Sequence, residues 1–136
     1  MKINLKENVK FRFPKANSNP VLVDTDPYRL QVVLLNLLNN AAKFTDEGTV
    51  TLDYDVQPDK VVFTVTDTGC GIAPGMEEEI FMRYNKGGNT NSEGDGLGLP
   101  VCRLIANLLG GSIELDTTYT GGARFIFTIP TSAAAN

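Results

Sequence analysis

The sequence predicts a two-layer α/β sandwich of the α+β kind: a mixed, mainly antiparallel five-stranded sheet covered on one face by about three helices. Three observations predict it. Period-two alternation recurs, most clearly over residues 49–56, 60–67 and 123–129. Two longer stretches, one after Asp26 and one after Gly96, carry apolar residues at helical spacing. Short Gly, Pro, Asn and Asp punctuation separates these stretches, with no internal repeat and no break in composition that would mark a second domain.

The elements follow in order. Lys10-Phe11-Arg12-Phe13 alternates as a strand and is stopped by Pro14, and Val21-Leu22-Val23 reads as a short second strand. Asp26 offers an N-cap and Pro27 suits the first helical position. Leu30, Val33, Leu34, Leu37, Leu38 and Ala41 then trace one apolar helix face, ended near Glu47 and Gly48. Residues 49–56 and 60–67 form a hairpin about the Gln57-Pro58-Asp59 turn. A Gly-rich loop follows, then a short helix around residues 76–84. Residues 85–96, rich in Gly, Asn and Ser, read as a functional lid. Residues 97–109 resume helical spacing with Gly110 and Gly111 as the stop. Two strands, 112–116 and 123–129, turn at Gly121 and Gly122, and residues 131–136 read as a frayed tail behind a domain spanning 1–130.

Composition narrows the function. A 136-residue chain can bury one modest core. Its net charge of −4 argues against a nucleic-acid partner. No run of about 18 apolar residues offers a membrane span, and the N-terminus lacks a secretory apolar core. Cys70 and Cys102 are too few for a disulfide framework. A cytoplasmic location is the default expectation. The chain has no histidine, so the commonest general base and metal ligand is missing from any mechanism confined to it.

Three features carry chemistry. On the first long helix, a turn of about 100° per residue sets Asn36, Asn40 and Lys43 in one sector beside the apolar stripe. An Asn oxygen can coordinate a hard cation such as Mg²⁺, and a Lys can neutralise phosphate. A polar rim on a half-buried helix explains the same pattern equally well. Second, alternation places Asp67 on the apolar face of its strand, just before Gly69 and Gly71. A buried carboxylate needs donors, and the exocyclic amine of a purine is one. The competing explanation is an Asx turn at the strand end. Third, Gly94-Asp95-Gly96-Leu97-Gly98-Leu99 opens a helix, where exposed backbone N–H groups suit phosphate. It matches neither a Walker sequence nor the dinucleotide-binding Gly pattern, and by itself an ordinary flexible loop would look the same.

Taken together and in this order, the motifs resemble those of the catalytic ATP-binding domain of two-component sensor histidine kinases, the GHKL or Bergerat-fold group that also holds DNA gyrase, MutL and the heat-shock chaperone ATPase. Asn36 to Thr45 is similar to the N box and Asp67 to Ile72 to the first Gly box. Ile80 to Tyr84 resembles the F box, and Gly94 to Leu99 the second Gly box. The resemblance implies ATP and Mg²⁺ as cofactors. It implies that Asn40 holds Mg²⁺, Asn36 supports the phosphates, Lys43 contacts phosphate and Phe44 lies against adenine or sugar. Asp67 would accept from the adenine amino group, with Gly69, Gly71 and Ile72 shaping the base pocket. Tyr84 and Lys86 would begin the lid, with Arg83 or Lys86 reaching the γ-phosphate. Gly94, Gly96, Leu97, Gly98 and Leu99 would close over the triphosphate. The family often has Arg at the Lys86 position and Thr near Ile126, so a bidentate phosphate contact and a polar contact under adenine are expected to be missing.

The resemblance also implies a division of labour. Members that hydrolyse ATP directly carry Glu where Asn36 stands, and an amide cannot take a proton from water at neutral pH. The expected activity is therefore that of a protein-histidine kinase catalytic domain, donating the γ-phosphoryl group to a histidine on a separate dimerisation domain, normally N-terminal in the same polypeptide. A response-regulator receiver domain would act downstream. The isolated domain is expected to be a monomer, and any membrane anchor would lie in other segments. Two alternatives share the fold. A nucleotide-binding sensor or pseudokinase is disfavoured by the intact Asn40 and Gly96 to Gly98. An anti-sigma-type serine kinase usually has Glu at the Asn36 position.

Overall fold

A computed structural model describes residues 7–14, 25–69, 71, 75, 79–81 and 98–130. Its elements are β1 (Val9–Arg12), α1 (Pro27–Lys43), β2 (Gly48–Gln57), β3 (Lys60–Asp67), a single 3-10 turn (Glu79–Phe81), α2 (Gly98–Leu108), β4 (Ser112–Leu115) and β5 (Ala123–Pro130). One five-stranded sheet has the order β1-β2-β3-β5-β4. The β1–β2 pair is parallel and the other three pairs are antiparallel, so the sheet is mixed and mainly antiparallel.

Alternation along the two central strands decides which face is covered. β3 and β5 bury every second residue, and Val61, Phe63, Val65, Phe125, Phe127 and Ile129 form the inner face. Against them α1 presses Val33, Leu37, Leu38 and Ala41, and α2 presses Cys102 and Ala106. Aromatic rings step across this layer from Phe13 to Tyr54, Phe63 and Phe127, at centroid separations of 6.4, 6.1 and 5.7 Å. Such cross-strand aromatic neighbours add to burial and pin the register of each pair.

Local chemistry sets the helix limits. Asp26 accepts at Oδ1 from the amides of Tyr28 and Arg29, at 3.0 and 3.2 Å, and Pro27 occupies the first turn. At the far end of α2, Gly110 takes φ +83° and donates to the Asn107 carbonyl, while Gly111 donates to Ala106. These two bonds form a Schellman motif, which needs the left-handed residue that Gly supplies without strain.

The sheet matches its expected strand count and character. Two α-helices and one 3-10 turn lie among the described residues, where about three helices were expected. The expected strand at Val21 to Val23, the lid at 85–96, the tail at 131–136 and most of the expected helix at 76–84 fall outside those residues.

Candidate functional site

The site is built where the C-terminal end of α1 meets the C-terminal end of β3. Along α1 the buried stripe orients its neighbours. Asn36 and Asn40 stand half-buried at its edge, and Lys43 is exposed in the last turn. The Asn36 amide nitrogen donates back to the Val32 carbonyl at 2.9 Å, and its oxygen accepts no hydrogen bond among the described residues. The Asn40 side chain makes no hydrogen bond among the described residues, so its oxygen is available to a hard cation. No group of three or more acids and cysteines that could hold a metal exists among the described residues, so an ion here would depend on Asn40 and on ligand oxygens. Lys43 Nζ lies 5.6 Å from the centroid of the Phe44 ring, and Phe44 is 43% exposed.

Asp67 ends β3 on the inner face, between Val50 of β2 and Ala123 of β5, and is 3% exposed. Its Oδ1 accepts from the Gly69 amide at 2.8 Å and the Ala123 amide at 3.2 Å. The Asx-type bond to Gly69 and the buried carboxylate are thus both present. Its Oδ2 accepts no hydrogen bond among the described residues. Burial raises the pKa of this carboxyl, and the Gly69 and Ala123 amides oppose that rise. A buried acceptor fixed through one oxygen, with no donor to the other among the described residues, is the chemistry of a receptor for an N–H donor.

The glycines beside Asp67 have a reason beyond ligand approach. A Cβ at Gly69 would collide with the Phe44 carbonyl, and one at Gly122, where φ is +150°, with the Asp67 carbonyl. Gly71, at φ +77°, faces the Gly122 carbonyl. Backbone therefore packs on backbone, and the loop after β3 is wedged between the end of α1 and the corner before β5. Lys43, Phe44, Asp46, Glu47, Thr68 and Gly69 line an open cleft of about 340 Å³ at this junction.

Of the residues singled out from sequence, Asn36, Asn40, Lys43 and Phe44 share one helix end, and Phe44 meets Gly69 from the Asp67 loop. Gly98 and Leu99 open α2, and Leu99 packs against the core cluster. Ile72, Arg83, Tyr84, Lys86, Gly94, Gly96 and Leu97 lie outside the described residues. Ile126 sits on the outer face of β5 beside Thr64 and Glu114, because Ala123 and Phe125 hold the inner register.

Sequence reasoning missed three contributors. Thr45, 0% exposed, donates from Oγ1 to the Ala41 carbonyl at 2.8 Å and closes the end of α1. Thr68 accepts from the Thr49 amide at 3.0 Å and ties the Asp67 loop to β2. Ala123 supplies a backbone amide, and a backbone donor leaves no trace in residue type. For Thr45 a signal existed: a hydroxyl placed just past an apolar helix.

Comparison with known proteins adds to this geometry. Residues 25–133 match the family model described as histidine kinase-, DNA gyrase B- and HSP90-like ATPase. The sensor histidine kinase RcsC of Escherichia coli strain K12 is 38% identical over 115 residues, covering 82% of this chain but 12% of RcsC. The nucleotide-free catalytic domain of the histidine kinase ThkA aligns with TM-score 0.73 and 29% identity over 91% of this chain and 80% of that one. Full-length ShkA in complex with AMPPNP aligns with TM-score 0.73 and 32% identity over 90% of this chain and 26% of that one.

Proposed function

Because the chain belongs to the histidine kinase-, DNA gyrase B- and HSP90-like ATPase family, we propose that it binds Mg-ATP and offers the γ-phosphoryl group to a histidine on a separate dimerisation domain. The observation that carries this reading is Asp67, a buried carboxylate held through Oδ1 by two amides, whose Oδ2 accepts no hydrogen bond among the described residues. That arrangement suits the adenine amino group as donor. The AMPPNP complex of the ShkA neighbour supports an adenine nucleotide as the ligand class.

Each residue has a task on this reading. Asp67 selects the base. Phe44 covers adenine or sugar, and Lys43 neutralises phosphate as a point charge. Asn40 holds Mg²⁺ through its amide oxygen, with Asn36 supporting the phosphates beside it. Bound Mg²⁺ supplies charge neutralisation of the triphosphate. Gly69 and Gly71 let the loop approach the base. Ile72, Tyr84, Lys86, Gly94, Gly96, Leu97, Gly98 and Leu99 are assigned to the pocket wall and to closure over the phosphates. An acceptor imidazole nitrogen forms the new P–N bond as the β–γ bridging P–O bond breaks and ADP departs. This transfer demands mainly positioning and charge neutralisation from the protein.

The whole kinase reaction belongs to a longer assembly. The chain spans only 12% of its curated RcsC relative. Residues 1–130 would be the catalytic module, acting in the cytoplasm as a monomer beside a histidine-bearing dimerisation domain and ahead of a response regulator.

Calorimetric titration with Mg-ATP tests the site. The wild-type chain should bind, and Asp67→Ala and Asn40→Ala should each weaken binding by about tenfold or more, as expected when a buried or charge-assisted partner is removed. Absence of wild-type binding, or equal affinity in all three proteins, would overturn the assignment.

A further inference from the structure

The corner that delivers the Ala123 amide to Asp67 is held from the other side of the sheet. Arg124 follows Ala123 in β5 and therefore points to the outer face, where its register partner is Thr66. Its Nε donates to Thr66 Oγ1 at 3.1 Å, its guanidinium carbon lies 4.2 Å from the centroid of the Tyr119 ring, and its Nη1 is 3.7 Å from Asp116 Oδ2. The Asp116 amide donates to the Arg124 carbonyl at 2.8 Å. Asp116 in turn accepts at Oδ1 from the amide and hydroxyl of Thr118, at 3.0 and 2.6 Å. Residues 116–122 thus form a loop fastened at both ends. Arg124 grips the outer end, and Gly122 rests on the Asp67 carbonyl at the inner end.

Resting on the nucleotide reading above, we propose that Arg124 is a positioning residue for base recognition, clamping the Gly122 corner so that the Ala123 amide holds Asp67 in a single orientation. One bond carries the effect. Asp67 Oδ1 is shared by Gly69, which belongs to its own loop, and by Ala123, which belongs to another strand. Only the second of these ties the carboxylate to the sheet. A carboxylate fixed this way presents an acceptor at one place, favouring an amino edge and repelling a carbonyl edge. If the corner drifts, the carboxylate can rotate, and the distinction between adenine and guanine weakens. Arginine suits the task because its planar fork can stack on Tyr119 and donate to Thr66 at once, which a Lys cannot do.

The test compares wild type, Arg124→Met and Arg124→Lys in the full chain. Calorimetry measures Mg-ATP and Mg-GTP affinity, and NMR measures amide exchange at Ala123 and Phe127. Arg124→Met should weaken ATP binding by about fivefold and narrow the ATP-to-GTP preference. It should also speed exchange at Ala123 by roughly tenfold while leaving Phe127, in the middle of β5, unchanged. Arg124→Lys should fall between. An unchanged nucleotide preference with unchanged Ala123 protection overturns the proposal. So does an equal loss of protection at Ala123 and Phe127, which marks general destabilisation. If wild type binds neither nucleotide, the nucleotide reading fails and takes the base-recognition role with it. Accelerated exchange confined to Ala123 in Arg124→Met then still upholds the clamp, and unchanged exchange overturns it.

Discussion

Burial raises the pKa of the Asp67 carboxyl above its ordinary value of 3.8, and the amides of Gly69 and Ala123 oppose that rise without cancelling it. A folded-state pKa above the unfolded one means that the folded chain holds the proton more tightly. Stability contributed by this group therefore falls as pH rises from the unfolded value through the raised folded value, and is regained on acidification. Asp67→Asn removes the buried charge and keeps an oxygen for the two amides. Its melting temperature should match or exceed wild type at neutral pH, and the difference should shrink as pH drops through that window. The same substitution turns the free acceptor into an NH₂ donor, so ATP affinity should fall by about tenfold or more. A variant that is less stable at neutral pH yet binds ATP as wild type does would contradict both arguments. Wild-type affinity should itself weaken as Asp67 protonates. The sequence made Asp67 legible because strand alternation assigns its face. It did not reveal which donors meet it, because one of them is a backbone amide 56 residues away.

On the proposed reading, helix α1 carries Asn36, Asn40 and Lys43 in its C-terminal half, so the closure of that end matters more than its start. The Thr45 amide bonds to the Ala42 carbonyl at 3.3 Å, and the Thr45 hydroxyl takes over the Ala41 carbonyl that the amide leaves behind. Thr45→Val keeps the shape and deletes the donor, leaving a buried carbonyl unpaired. A loss of about 1–3 kcal/mol is expected in denaturant unfolding, with Thr45→Ser close to wild type. Equal stability of Thr45→Val and wild type would show that the hydroxyl does not cap the helix. Elements with strong periodicity were legible in full: α1, the β2–β3 hairpin, α2 with its Gly stop, and β5. β1 was legible as a strand, but its parallel pairing with β2 was not, since a four-residue edge strand has no turn to set its direction.

At the scale of the whole molecule, the fold brings the C-terminal end of α1, the end of β3 with its buried Asp67 carboxylate and the Gly122 corner to one rim of the sheet. On the proposed reading, the position one turn before Asn40 is where a base would activate attacking water, and the sequence places an amide there. Asn36 fills that place and bonds back to its own helix at Val32. The chain has no histidine to receive phosphate. Efficient turnover should then require a nucleophile supplied from outside. With ATP alone, the protein should release phosphate slowly. Addition of a dimerisation-helix fragment bearing a histidine should produce acid-labile phosphate on that fragment, because imidazole needs no base to expose its lone pair. Asn36→Glu reintroduces the missing proton acceptor and should raise acceptor-free hydrolysis by roughly tenfold or more. Acid-stable label on serine, or rapid hydrolysis by the wild-type chain alone, would show that the amide at Asn36 does not set the outcome. Reading both products across the pair of proteins separates positioning from proton transfer, since Asn36→Glu changes the second while keeping the helix that provides the first.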